Sequence, residues 1–122
     1  MHVNMDTNKE SLSPECKALS AYAEAWNKLD TSIIAPFLKD EFHYSSFYVF
    51  AEIKSKDEYL NYLRGKFQAI KTSGSKVVAN VIPNRDLIRL IQNDSRVAVL
   101  DVKLDGGLIA RADMMPPEFY NL

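Results

Sequence analysis

The sequence predicts an α+β fold in which a bent antiparallel sheet wraps on three helices of the N-terminal half. Three observations carry the prediction. Apolar residues recur at helical spacing in the segments around residues 14–28 and 57–71. From Lys76 onward the period changes to two. The links between the later alternating segments, Pro83-Asn84, Asn93-Asp94-Ser95 and Asp105-Gly106-Gly107, are too short for a parallel return and demand hairpins. Helices at one end of a chain and strands at the other define the α+β class, and the simplest packing curls the sheet around the helices and buries one face.

Each element has a local cause. Ser13-Pro14-Glu15 places an N-cap, a proline at the first helical position and an acid in the first turn. Leu19, Tyr22, Ala23 and Trp26 then form one apolar stripe. Asp30-Thr31 caps a second helix with Ile33, Ile34, Phe37 and Leu38, which Pro36 holds to one or two turns. Phe42 to Phe50 predicts a strand with Phe42, Tyr44, Ser46 and Tyr48 on one face and His43, Ser45, Phe47 and Val49 on the other. Ser55-Lys56-Asp57-Glu58 is a capping box opening a helix over 57–71, with Tyr59, Leu60, Leu63, Phe67 and Ile70 apolar and Gly74 as a left-handed cap. Four further strands are predicted over 76–82, 87–92, 97–104 and 108–114.

With 122 residues the chain has room for one core, expected over 13–122 behind a polar, flexible tail at 1–12. Fifteen Lys and Arg against sixteen Asp and Glu leave a formal charge of −1, which argues against a nucleic-acid partner. No apolar run suffices to span a bilayer and no secretory signal opens the sequence, so the cytoplasm is the expected location. Cys16 is the only cysteine, which excludes an intramolecular disulfide framework; the two histidines, His2 and His43, lack a ligand spacing, so no metal or cofactor is expected.

The stretch Ala21-Tyr22-Ala23-Glu24-Ala25-Trp26-Asn27-Lys28-Leu29-Asp30, continued by Phe37-Leu38-Lys39-Asp40-Glu41-Phe42 and later by Asp105-Gly106-Gly107-Leu108-Ile109, resembles the nuclear transport factor 2-like superfamily in its SnoaL-like and ketosteroid-isomerase-like branch. The resemblance covers nearly all of residues 13–117. It implies a cone: a bent sheet wrapped on three helices, with a pocket at the open end and often a homodimer. It does not imply a reaction, because this fold hosts enzymes, binders and adaptors.

Residue by residue, the resemblance places Tyr22 where the isomerases carry an oxyanion-stabilising tyrosine, although a core tyrosine on the helix stripe fits the same position. The catalytic carboxylate falls on Ser46, which is no base, and the second acid falls on Leu100, beside but out of phase with Asp101. Steroid isomerisation by that route is therefore not expected. On the last strand, Ile109, Arg111, Asp113 and Met115 correspond to the pocket side, so Arg111 and Asp113 could grip a carboxylate-bearing ligand, or could balance each other on a solvated or interface face. A three-residue hairpin loop would pair Asp101 with Arg111.

Three readings are open. The first is a small-molecule-binding cone with Tyr22, Trp26, Tyr44, Ser46, Arg111 and Asp113 on its wall and a small apolar or carboxylate-bearing ligand. The second is an isomerase, cyclase or hydratase acting on a hydrophobic carbonyl compound, with Asp113 as base and Tyr22 and Arg111 as donors. The third is a dimeric interaction module, suggested by Val97 and Val99 on one face of a strand that also carries Ala98, Leu100, Val102 and Leu104 on the other. Cys16, His43 and the basic residues Lys54, Lys56, Arg64, Lys66 and Lys71 are read as structural or solvated. The aromatic residues, Phe50 and Phe119 included, could line the cone or fill it.

Overall fold

A computed structural model describes residues 13–49 and 52–122. The predicted tail at 1–12, and Phe50 at the end of the predicted first strand, lie outside the described residues.

Helix α1 spans Pro14–Lys28. The Ser13 side chain accepts the Cys16 amide, and Ala18, Leu19, Tyr22, Ala23, Ala25 and Trp26 form the buried face. Leu29 ends the helix in the left-handed region, at φ 53°. Asp30 then accepts the Ser32 amide at 2.9 Å, which starts a 3-10 turn at Thr31–Ile33. A second turn, Ala35–Phe37, carries Pro36 near its start, so the expected short second helix is a pair of 3-10 turns.

Strand β1 covers Leu38–Ser46, earlier than the predicted 42–50. The predicted alternation holds where it was readable: Phe42 and Tyr44 are buried, while His43 and Ser45 are half-buried on the other side. A two-residue strand β2, Glu52–Ile53, pairs with the end of β1 and had no sequence signal. Helix α2 runs from Lys56 to Ser73, with Ser55 accepting the Glu58 amide and Gly74 closing it at φ 73°. Strands β3 (Val77–Val81), β4 (Leu87–Gln92), β5 (Ser95–Asp105) and β6 (Leu108–Met115) form the meander, and a 3-10 turn at Pro117–Tyr120 comes after them.

The sheet has six strands in the order β2-β1-β6-β5-β4-β3. Its meander is antiparallel as predicted, but β1 joins β6 in parallel, so the sheet is mixed. This pairing brings together strands distant in the chain, and no hairpin link announces it. Helix α1 packs on β3 and α2 on β1, which leaves one sheet face covered by helices. Asn27 ties α1 to the sheet edge: its Nδ2 donates to the Ala79 carbonyl at 2.9 Å and its Oδ1 accepts the Ala79 amide at 2.7 Å. The Asn-x-x-Asp run Asn27–Asp30 therefore has a structural role, one end satisfying an edge strand and the other starting the next turn.

The main core lies between helices and sheet and includes Tyr22, Trp26, Phe42, Tyr44, Tyr59, Leu63, Phe67, Leu100 and Ile109. A smaller cluster occupies the opposite sheet face, where Ile82, Leu87 and Val99 are covered by Tyr120 and Leu122. Val99, which the sequence offered to a partner, is thus covered by the chain's own C-terminal turn, whereas Val97 remains 40 % exposed.

Candidate functional site

A groove of about 590 Å³ opens between α2 and the helix-facing side of the sheet, where β1 and β6 end and β5 begins. Trp26 of α1 and Ile70, Ala69, Ser73 and Lys66 of α2 form one wall. Val77, Leu90, Ala98 and Met114 come from four strands and form the other, with Gln92, Ser46, Tyr48, Val49 and Val97 around the mouth. The wall is apolar because these strand positions alternate inward. Tyr48 is positioned by two hydrogen bonds, its hydroxyl to the Val97 carbonyl at 2.9 Å and its amide to Ser46 Oγ at 3.2 Å.

Trp26 is 3 % exposed, and its ring meets the Phe67 ring edge-on at 5.0 Å. Its Nε1 is buried without a hydrogen-bond partner among the described residues. A buried donor left unpaired is rare in folded proteins, so the indole N–H is an observation that asks for an acceptor.

Behind the groove the cone is filled. Tyr22 and Tyr59 join hydroxyl to hydroxyl, both buried. Tyr59 also packs on Phe42 at 4.6 Å and on Tyr44 at 5.0 Å, and Tyr44 on Tyr62 at 5.5 Å. The Tyr44 hydroxyl reaches the Met114 sulfur at 3.8 Å. Burial pushes the Tyr22 phenol far above its ordinary pKa, with the Tyr59 bond opposing; burial, then the neighbouring phenols, does the same at Tyr44 and Tyr59. All three thus stay neutral phenols beyond the pH at which an exposed tyrosine ionises.

Of the residues the sequence placed on one pocket wall, the structure brings Trp26 and Ser46 to the groove. Tyr22 and Tyr44 lie in the core behind it. Arg111 and Asp113 lie on the other face of the sheet, a correction with a definite cause. A bulge breaks the pairing of β6 with β5: Lys103 faces Arg111, but Leu104 faces Ile109. The extra residue reverses the alternation beyond Ile109, so Ile109, Ala112 and Met114 point into the core and Asp113 points away. The bulge also sets Asp101 opposite Asp113, not opposite Arg111.

On that outer face Arg111 grips Asp113 with Nε to Oδ2 at 2.9 Å and Nη2 to Oδ1 at 3.0 Å, and Ser45 donates to the same carboxylate. Burial pushes the Asp113 carboxyl up, but the bonds from Arg111 and Ser45 outweigh it and hold it below the usual carboxylate range. Asp101 accepts the Tyr120 hydroxyl at 2.7 Å, and burial followed by this bond pushes Tyr120 up to about 12. A carboxylate with a lowered pKa, occupied by a guanidinium and separated from Tyr22 by the strand it stands on, is a poor proton acceptor. The pairing of Asp113 as base with Tyr22 as donor is therefore not what this geometry forms.

Sequence reasoning missed the α2 wall. Lys66 was grouped with solvated cations, yet Tyr62, Lys66, Ala69, Ile70 and Ser73 succeed one another at spacings of one, three and four and form a second stripe beside the core stripe. Among the described residues no group of three or more His, Cys, Asp or Glu side chains gathers to hold a metal ion. No described helix is long and apolar enough to cross a membrane.

No family model matches the sequence, and no curated protein matches it. Solved structures do match the fold. An NTF2-like protein of unknown function from Cytophaga hutchinsonii is 15 % identical over 88 % of this chain and 94 % of that one, with a TM-score of 0.60. A SnoaL-like protein of unknown function from Burkholderia thailandensis is 16 % identical over 80 % of this chain and 89 % of that one, with a TM-score of 0.63. An LEH-like epoxide hydrolase from M. tuberculosis is 18 % identical over 87 % of this chain and 84 % of that one, with a TM-score of 0.57. The strand order, the curled sheet and these likenesses together identify the chain's architecture as the nuclear transport factor 2-like, or SnoaL-like, α+β cone.

Proposed function

We propose that this chain is a small-molecule-binding domain of the SnoaL-like kind whose ligand sits in the groove between α2 and the sheet. The observation that carries the reading is the groove itself: about 590 Å³, walled by Trp26, Ile70, Leu90, Ala98 and Met114, is a volume and a lining that suit a flat apolar molecule. Binding is favoured over acid–base catalysis because no carboxylate or imidazole stands among the described lining residues.

The test uses N-phenyl-1-naphthylamine, a neutral, flat apolar dye that brightens in apolar surroundings. The native protein is expected to bind it saturably. Ala69 is exposed and faces the groove, so Ala69→Phe narrows the site without touching the core and is expected to weaken binding roughly ten-fold, with the melting temperature little changed. Unaltered dye affinity in Ala69→Phe would remove the groove from consideration.

A second reading, association of two copies, is favoured by one observation. Phe47, Tyr48, Val49 and Phe119 are each at least half exposed, and the Phe47 and Phe119 rings lie 5.3 Å apart, an apolar patch beside the groove mouth. Under this reading light scattering gives a dimer mass that falls to the monomer mass in Phe119→Glu; a monomer at high concentration rejects it.

A further inference from the structure

The charge pattern of the groove narrows the ligand class, an inference that rests on reading the groove as a binding site. Lys66 is the one charged side chain among the described residues that line it. It is half-buried, and its ammonium stands 5.6 Å from the centre of the Tyr62 ring. Among the described residues it forms no ion pair, whereas Lys28, Lys39, Lys54 and Lys103 each have a carboxylate within 4.0 Å. A cation on an apolar wall attracts an anion more strongly than one in open water, because the wall lowers the local dielectric. No carboxylate stands among the described lining residues, so an approaching anion meets no like charge from them.

We propose that the groove takes flat apolar molecules bearing a single anionic group, with that group seated at the Lys66 ammonium and the apolar body against Trp26, Ile70, Leu90 and Met114. Of the two sequence readings of Arg111, a grip on a ligand's acid group or a balance with Asp113, the structure forms the second on the opposite sheet face, and the ligand's charge falls to Lys66. Neutral analogues share the apolar contacts and lose only the charge contact, so the preference is graded. Dianions and polyanions gain little more, since their further charges lose hydration with no second cation in the described lining to pair with.

Two dyes on one scaffold test this. 8-Anilino-1-naphthalenesulfonate is N-phenyl-1-naphthylamine with an added sulfonate, and both report by fluorescence. Only binding to the folded protein that Ala69→Phe weakens is counted, since partly unfolded chains also bind such dyes. The sulfonate is expected to bind roughly two- to five-fold tighter than the neutral dye at low salt, the range of a partly screened ion pair. Lys66→Met should bring the ratio of sulfonate to neutral-dye affinity down to about one, whatever it does to the two affinities together, and Lys66→Arg should restore the ratio. Equal affinities in the native protein, or a preference that survives Lys66→Met, would overturn the assignment of Lys66 while leaving the groove intact. Failure of both dyes to bind would overturn the groove reading and this inference with it.

Discussion

Tyr22 and Tyr59 each bring one hydroxyl into the closed end of the core, and each answers the other. Removing one leaves the other buried and unpaired, which costs about 1–3 kcal/mol; removing both replaces a polar pair by apolar edges at little cost. Urea unfolding of Tyr22→Phe, Tyr59→Phe and the double variant should therefore show strong non-additivity, the double being less destabilised than the sum of the singles by about 1 kcal/mol or more. Strict additivity would mean that the hydroxyls do not depend on each other. This arrangement was half legible. The helix stripe put Tyr22 inward, but Tyr59 stands 37 positions away on another helix, and no spacing rule connects the two. Arg111 and Asp113 show the opposite case. Their separation of two residues correctly predicted a shared face, and their mutual grip was one of the readings open from sequence. Which face they share depended on a single inserted residue in β6, and a period-two pattern carries no mark of it.

Among the elements, the hairpin between β5 and β6 and the start of α1 constrain each other. Gly106 and Gly107 both have positive φ, 61° and 88°, as a tight two-residue hairpin requires. At Gly106 a Cβ would meet nothing within 4 Å among the described residues, whereas at Gly107 it would lie 2.6 Å from the Pro14 Cβ. Gly106→Ala carries only the backbone penalty of a left-handed alanine, about 1 kcal/mol, while Gly107→Ala must also displace the first turn of α1. Thermal unfolding should thus show Gly107→Ala destabilised more than Gly106→Ala, and by more than the difference in φ alone would give; equal losses would show that the helix start yields freely. The sequence made both elements plain, the Ser13-Pro14 cap and the Asp105-Gly106-Gly107 turn, because each is a local device. Their contact joins the first described residues to the last hairpin, and local signals do not reach that far. The same limit explains β2, two residues long, and the parallel pairing of β1 with β6.

At the scale of the whole molecule the cone divides into a filled end and an open one. Tyrosine and phenylalanine rings pack the end where α1 and α2 meet β1, and the sheet lifts from α2 where β1 and β6 terminate. Sequence posed filling and lining by aromatics as alternatives, but the fold realises both, Tyr22, Phe42, Tyr44 and Tyr59 filling and Trp26 and Tyr48 lining. The α+β class and the helix-then-meander order were readable because they stem from periodicity and link length; the groove was not, because its wall combines one helix stripe with the inward positions of several strands. The two faces of the sheet carry distinct roles, an apolar hollow on the helix side and an Arg111–Asp113–Ser45 polar cluster on the other. The most direct measurement is a set of intermolecular nuclear Overhauser contacts between N-phenyl-1-naphthylamine and methyl-labelled protein. A dye seated in the groove gives contacts to the methyls of Val77, Leu90, Ala98 and Met114. Contacts confined to Ile82 and Leu87 on the opposite sheet face, or to no methyl at all, would contradict that placement.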